Sequence, residues 1–117
     1  ISEPSQVLTV LLTTMSSENF SSAIPEKFSL YQNYPNPFNP STKIKYDIAN
    51  DEFVSIIVFD LKGSKIKTLV NVNQAAGKKS VHWDATDNHG QPVPTGMYIY
   101  TIQAGNFVQT KKMILVK

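Results

Sequence analysis

The segment TKIKYDIANDEFVSIIVFDLKGSKIKTLV, residues 42–70, has the hydrophobic pattern of consecutive β-strands. Apolar and polar residues alternate through residues 42–48, which predicts a strand with one buried and one exposed face. Residues 53–59 are apolar at all but one position, as expected of a strand at the centre of a sheet. Gly63 supplies the backbone freedom for a short turn, so residues 65–70 are predicted to pair with this central strand.

The strand pattern continues towards the C-terminus. Residues 78–83 alternate and end in the single Trp of the sequence, a candidate for the core. The Asp- and Gly-rich stretch DATDNHGQPVPTG, residues 84–96, predicts a long turn. Residues 97–103 and 107–116 form a further strand pair across Gly105-Asn106, the connection of a type II′ hairpin. No window has helical spacing, so these strands predict an all-β fold, an antiparallel β-sandwich of about seven strands.

A proline-rich segment, FSLYQNYPNPFNPST, precedes the first of these strands at residues 28–42. Proline fixes φ, lacks a backbone donor and keeps the residue before it extended. The segment, which includes Pro35-Asn36-Pro37, is therefore predicted to be an ordered loop outside the strand ladders. Tyr34 and Phe38 are its candidate anchors to the core.

The first part of the chain differs in composition from the rest. Residues 7–12 form a short apolar run that suits the last strand of a preceding domain, and residues 16–27 form a Ser-rich linker. We therefore divide the chain into residues 1–27, the end of a preceding region with its linker, and residues 28–117, a C-terminal domain. The opening ISEPSQVLTV lacks the basic region of a signal peptide, so we expect a fragment of a longer precursor.

The composition excludes several kinds of protein. Hydrophobic residues make up 41% and charged residues 17%, which is typical of a folded domain rather than a disordered one. All eleven basic residues are Lys, so the guanidinium contacts that bind guanine and phosphate are missing, and nucleic acid is not expected as a partner. The lack of Cys excludes disulfides and thiolate metal sites. No apolar stretch approaches the ~20 residues of a transmembrane segment.

Residues 84–90, DATDNHG, invite a calcium hypothesis because they bring oxygen-bearing side chains close to a Gly. Their spacing matches no EF-hand loop, and Asp, Asn and Gly are also ordinary turn formers. His82 and His89 form no metal-ligand pattern and have no evident partners for a hydrolase triad. We therefore expect no catalytic residue, no metal and no cofactor.

The proline-rich segment also carries a family resemblance. The stretch YQNYPNPFNPSTKIKYDI, residues 31–48, resembles the opening of the type A C-terminal sorting domains of the type IX (Por) secretion system. The resemblance continues through VSIIVFDLKGSKIKTLV and AAGKKSVHWDATDNHGQPVPTGMYIY to the terminal QTKKMILVK, and so covers residues 28–117. Residues 83–98 are also similar to the Ig-like domain of flagellar hook-capping proteins, a similarity that bears on fold more than on function.

This resemblance implies an Ig-like β-sandwich that is not an enzyme. Members of the family lie at the C-terminus of varied cargo proteins, pass through the periplasm and are commonly cleaved while the cargo is released or attached at the cell surface. The implied partners are the outer-membrane type IX secretion machinery and a covalently linked N-terminal cargo domain. The implied location is secreted or at the cell surface.

The resemblance further implies a set of recognition residues. They are Pro35, Asn36, Pro37, Gly63, Lys111, Lys112, Ile114, Leu115, Val116 and Lys117. Each group also has a structural explanation, because prolines stiffen a loop, glycine suits a turn and lysines protect an exposed sheet edge from aggregation. For the C-terminal residues the resemblance favours recognition.

Two other functions remain open on the sequence. The first is an accessory module that binds carbohydrate or protein, with sugar-stacking aromatics drawn from Tyr31, Tyr34, Phe38, Tyr98 and Tyr100. Exposure of these rings would distinguish it, although strand alternation predicts that Tyr98 and Tyr100 pack in the core. The second is a passive structural spacer of a secreted enzyme or a hook-assembly module.

Overall fold

The described part of the protein consists of strands joined by turns in a computed structural model that covers residues 24–117. Its strands are β1 (Ser29–Leu30), β2 (Thr42–Ile48), β3 (Glu52–Asp60), β4 (Lys65–Gln74), β5 (Gly77–Trp83), β6 (Gly96–Ala104) and β7 (Phe107–Leu115). They form two antiparallel sheets, one in the order β1-β2-β5 and the other in the order β4-β3-β6-β7. The predicted all-β sandwich of about seven strands is therefore confirmed.

Two predictions concern residues at or before the start of the described range. The strand predicted at residues 7–12 and most of the linker at residues 16–27 lie outside the described residues. The domain boundary near residue 27 stays a prediction. Within residues 24–117 no helix is long and apolar enough to cross a membrane.

The three-stranded sheet is built on β2, which pairs with β1 on one side and with β5 on the other. Its inward side chains, Ile44, Tyr46 and Ile48, are buried in the core, as the alternation predicts. Lys43 and Lys45 lie on the opposite face. The sheet therefore has one apolar and one charged face, the arrangement expected when one side packs on a core and the other meets water.

The four-stranded sheet has β3 between β4 and β6, which confirms its predicted central position. Val54, Ile56 and Val58 of β3 point inward and are fully buried. Its partner β4 continues to Gln74, beyond the predicted end at residue 70, and the pairing passes through two register shifts. The sheet forms the second wall of the core.

Trp83 lies at the centre of the core and is 1% exposed, so its predicted burial is confirmed. The ring of Tyr98 packs edge-on against it at a centroid distance of 5.4 Å, and the ring of Phe38 lies 5.7 Å away. The indole nitrogen donates a 2.9 Å hydrogen bond to the carbonyl of Thr86, which satisfies the polar atom of the buried ring. One aromatic residue from each sheet and one from the proline-rich segment thus meet at this point.

Candidate recognition site at the C-terminal strand

Residues 32–40, which lie between β1 and β2 and which we call the Pro loop, connect the two sheets. The backbone of Tyr34 exchanges two 2.9 Å hydrogen bonds with Lys43 of β2. Further along, Phe38 forms a parallel bridge to Leu115 at the end of β7. The prediction of a loop wholly outside the ladders is therefore wrong at these two positions, because each extends the hydrogen bonding of a different sheet. All three prolines of the loop follow cis peptide bonds.

A buried hydrogen-bond network fixes the start of the Pro loop. The amide of Asn33 donates to the hydroxyl of Tyr100 at 2.8 Å, and that hydroxyl donates to the carbonyl of Tyr31 at 2.7 Å. The side-chain nitrogen of Asn33 also donates to the carbonyl of Pro35 and the hydroxyl of Thr42. Burial raises the pKa of Tyr100 to about 12, so the hydroxyl remains protonated and able to donate. Asn33 is not among the residues that the sequence pointed to, because it is one of several polar residues in the proline-rich segment and no local pattern distinguishes it.

The two predicted anchors of the loop behave differently. Phe38 is 1% exposed and packs beside Trp83, which confirms it as an anchor. Tyr34 is 81% exposed, so its prediction as an anchor is wrong. The physical reason is that the backbone of Tyr34, rather than its ring, attaches the loop to β2.

The Pro loop binds the end of the C-terminal strand through four well-formed contacts. Phe38 donates its amide hydrogen to the carbonyl of Ile114 at 2.9 Å and accepts one from the amide of Val116 at 3.0 Å. The amide of Ile114 donates to the side-chain oxygen of Asn36 at 3.0 Å. The fourth is a 2.6 Å hydrogen bond from the side chain of Gln32 to the carbonyl of Lys112. The structure thus brings the predicted Pro35-Asn36-Pro37 group into contact with the predicted C-terminal group, although the two are far apart in sequence.

The predicted C-terminal residues do not share one environment. Leu115 is 5% exposed and belongs to the core, whereas Ile114 is 37% and Val116 40% exposed. Lys111 and Lys112 lie on opposite faces of β7, with Lys111 half-buried and Lys112 exposed. In the folded domain the side chain of Leu115 is therefore buried and cannot contact a receptor.

Gly63 lies in the turn between β3 and β4, apart from the Pro loop contacts. Its φ of +88° is one that glycine adopts without strain. The side chain of Asp60 accepts hydrogen bonds from the amides of Lys62 and Ser64 and so closes the same turn. These features explain Gly63 by turn geometry alone.

An apolar strip runs across the outer face of the four-stranded sheet beside the strand end. The β-sheet register places Phe59 next to Ile99 and Met97 next to Ile114 on this face, and alternation adds Val116. Phe59 and Ile99 are half-buried, whereas the other three are more than a third exposed. The outer face of a sandwich strand is normally polar, so adjoining apolar side chains here form a surface suited to protein contact.

The aromatic platform considered for a carbohydrate module is mostly absent. Phe38, Tyr98 and Tyr100 are buried, which confirms the expected packing of the two β6 tyrosines. Only Tyr31 and Tyr34 of the five candidates remain substantially exposed in the described range.

In the acidic turn after β5, side-chain oxygens accept hydrogen bonds from backbone amides of the same turn. One side-chain oxygen of Asp87 accepts hydrogen bonds from the amides of His89 and Gln91. These bonds lower the pKa of Asp87, and the bond from Gln91 has the largest effect. A hydrogen bond from the side chain of Thr86 likewise lowers the pKa of Asp84. Residues 24–117 contain no cluster of three His, Cys, Asp or Glu side chains able to hold a metal ion.

Comparison with known proteins places the chain in a family. The model of the FlgD Ig-like domain matches residues 39–107, which is more than half of the chain. The chain belongs to the FlgD Ig-like domain family. The match stops before the Pro loop's Asn36 on one side and before most of β7 on the other, so the strand-end contact lies outside it. No curated protein sequence matches the chain.

Solved structures with the same fold include two proteins of Porphyromonas gingivalis. Dimeric latent PorU is 21% identical with a TM-score of 0.60, over 76% of this chain and 9% of PorU. PorZ, an essential surface component of the type IX secretion system, is 18% identical with a TM-score of 0.55, over 75% of this chain and 11% of PorZ. The chain therefore spans about a tenth of the length of each.

A third structure represents the flagellar branch of the FlgD Ig-like fold. FlgD from Xanthomonas campestris, described in connection with hook capping in flagellar assembly, is 24% identical with a TM-score of 0.52. The similarity covers 78% of this chain and 63% of that FlgD chain. At such identities these three structures establish the likeness of fold alone.

Proposed function

We propose that residues 28–117 form a non-catalytic C-terminal sorting domain of the type IX secretion system. It directs a covalently attached N-terminal cargo protein from the periplasm across the outer membrane and is cleaved when the cargo is attached at the cell surface. Support comes from the resemblance of YQNYPNPFNPSTKIKYDI and KKMILVK to that family and from the fold shared with a surface component of the same system.

The observation that carries this proposal is the contact between the Pro loop and the C-terminal strand end. Asn36 and Phe38 bind the backbone of Ile114 and Val116, so the two segments with the strongest family resemblance form one continuous surface. These four contacting residues lie outside residues 39–107, the part of the chain that matches the general Ig-like family model. A feature added to a common fold is where a specific function is expected.

Within this surface, the backbone contacts hold the strand end and the outward side chains meet the machinery. Ile114 and Val116 expose apolar groups beside the strip formed by Met97 and Ile99, and Lys112 adds a positive charge. A receptor surface with an apolar centre and an acidic rim would complement this arrangement. Leu115, Lys111 and Gly63 support the fold in this proposal, which narrows the recognition set implied by the sequence.

An export assay with matched variants tests the proposal. The full chain is fused behind a passive reporter bearing its own periplasmic export signal, in a host with the type IX apparatus. The double variant Ile114→Thr/Val116→Thr removes apolar surface at the strand end, whereas Val108→Thr makes the same kind of change on the same face near the other end of β7. We expect the double variant to leave the precursor in the periplasm and the control to reach the surface normally.

Folding is measured separately so that the result has one meaning. Both variants alter exposed side chains, so each should change the free energy of unfolding by no more than about 0.5 kcal/mol. Thermal unfolding measures this change. Equal export of the two folded variants would show that the strand end is not recognised. A wild-type reporter that stays in the periplasm would show that the domain does not sort.

A second candidate function follows from the family itself. The match to the FlgD Ig-like domain favours an assembly or spacer module that contacts neighbouring subunits without directing export. In the same assay such a module would leave the reporter in the periplasm with every variant.

A further inference from the structure

A groove with a different character lies on the outer face of the three-stranded sheet. We call it the lysine groove; it encloses about 630 Å³. Its principal lining residues are Tyr31, Tyr34, Lys43, Lys45, Lys78 and Lys79. The volume falls within the range typical of small-ligand sites.

The backbone on the aromatic side of the lysine groove is fixed in position. Tyr34 is joined to Lys43 by two backbone hydrogen bonds, and the amide of Tyr31 donates to the carbonyl of Lys45 at 3.0 Å. The hydroxyl of Tyr31 also donates to the side chain of Asp47, and this hydrogen bond raises the pKa of the phenol. Both rings nevertheless remain open to solvent, with 45% of Tyr31 and 81% of Tyr34 exposed. Tyrosine side chains have only two rotatable χ angles and so lose little conformational entropy when they bind a ligand.

The charge in the lysine groove is positive and only partly neutralised. The side chains of Lys43, Lys45 and Lys78 lie on this outer face, whereas Lys79 shares the core face of β5 with Val81 and Trp83. The one carboxylate among the lining residues is that of Asp47. Asp47 is 6% exposed, accepts the hydrogen bond from Tyr31 and lies 3.9 Å from the ammonium group of Lys78. Because this carboxylate is already engaged, the remaining lysines are free to attract an anion.

We propose that the lysine groove binds an anionic oligosaccharide. The rings of Tyr31 and Tyr34 pack against the apolar faces of neighbouring sugar units, and the ammonium groups of Lys43 and Lys45 bind their carboxylate, sulfate or phosphate groups. Exposed tyrosines provide the apolar body and polar tip that sugar rings complement. Lysine, a mobile point charge, suits anions presented from several directions. The site lies on a different sheet face from the strand-end surface and does not depend on the proposed export function.

The geometry favours a saccharide over an acidic peptide. Extended peptides bind sheet edges chiefly through main-chain hydrogen bonds. The lysine groove lies on the face of β2, and both edges of β2 are already paired, with β1 and with β5. Stacking and charge therefore remain as the main sources of affinity, which a charged sugar chain supplies together.

Titration calorimetry with the full chain tests the site. The probe is an oligogalacturonate, with an uncharged malto-oligosaccharide of equal length, a poly-Glu peptide and an oligo-dT strand as comparators. We expect the oligogalacturonate to bind best and more weakly as salt is added. Tyr34→Ala should weaken its binding about three- to tenfold by removing one stacking ring. Lys45→Gln should weaken it and reduce the salt dependence.

Matched variants on the other sheet exclude general effects. Phe53→Ala removes an exposed ring and Lys65→Gln an exposed charge outside the lysine groove, so both should bind as wild type. Absence of oligogalacturonate binding would overturn the proposal, as would equal losses in Tyr34→Ala and Phe53→Ala. Equal affinity for the uncharged sugar, or tighter binding of poly-Glu or oligo-dT, would overturn it as well.

Discussion

At the scale of single residues, the packing of Trp83 determines how the core is closed. Its ring contacts Tyr98 from the four-stranded sheet and Phe38 from the Pro loop, so one side chain links the sheets with the loop that binds the C-terminal strand. Its indole hydrogen bond to Thr86 also positions the start of the long turn. No other residue type offers both this volume and a polar atom at that position.

Replacing this residue tests its role. Trp83→Ala should lower the free energy of unfolding by about 3–5 kcal/mol, because a large cavity forms and the surrounding strands cannot fully collapse into it. Urea unfolding followed by far-ultraviolet circular dichroism measures the change. Phe53→Ala, which removes a half-exposed aromatic ring, provides the control and should cost far less. A loss below 1 kcal/mol for Trp83→Ala would contradict the central position of this ring.

At the scale of elements, β7 is an edge strand of the four-stranded sheet, yet the C-terminal part of its free edge is hydrogen-bonded by the Pro loop. Exposed strand edges invite pairing with other chains. The side chain of Asn36 and the backbone of Phe38 occupy the outward groups of Ile114 and so protect this end of the strand. The Pro loop is therefore both a connection between sheets and an edge cover.

Shortening this strand separates recognition from folding. Deletion of Val116 and Lys117 removes one hydrogen bond to Phe38 but leaves Leu115 in the core, so unfolding should become easier by only about 1 kcal/mol. Export of an attached reporter should nevertheless fall sharply, with precursor in the periplasm. Thermal unfolding and surface labelling measure the two effects. Normal export of the folded truncation would refute terminal recognition, and complete unfolding would refute the small structural contribution assigned to these two residues.

At the scale of the whole molecule, buried tyrosines make the fold sensitive to alkali. Burial raises the pKa of Tyr100 to about 12 from 10.0 in an unfolded chain, and burial also raises the pKa of Tyr46 and Tyr98. Because the folded state holds these protons more tightly, their stabilising contribution is complete below pH 10 and is lost as the pH rises towards 12.

Urea midpoints measured at increasing pH test this dependence. We expect the midpoint of the wild-type protein to fall between about pH 10 and pH 12 and the fall to be smaller in Tyr100→Phe. Tyr34→Phe, a change at an exposed ring, should keep the wild-type profile. Identical profiles for wild type and Tyr100→Phe would show that this phenol does not control alkaline unfolding.

Local patterns predicted the strands but not the contacts that join distant segments. Alternation through Ile44, Tyr46 and Ile48 and the apolar run around Ile56 depend only on which face of a strand is buried, so sequence was sufficient. The pairing of Phe38 with Ile114 depends on how the sheets stack, which no local pattern encodes. The prediction that Tyr34 anchors the loop is wrong because the backbone of Tyr34 attaches the loop to β2 while its ring stays in solvent.

The parallel pairing of the Pro loop with the C-terminal strand end has a mechanical consequence. Phe38 and its partners run side by side in the same direction, although they come from near opposite ends of the domain's sequence. Tension applied between residue 28 and the C-terminus would slide these segments past one another, so their hydrogen bonds would bear the load together in shear. A domain pulled through a pore by its C-terminal end would accordingly resist extension until this pairing gave way as a unit.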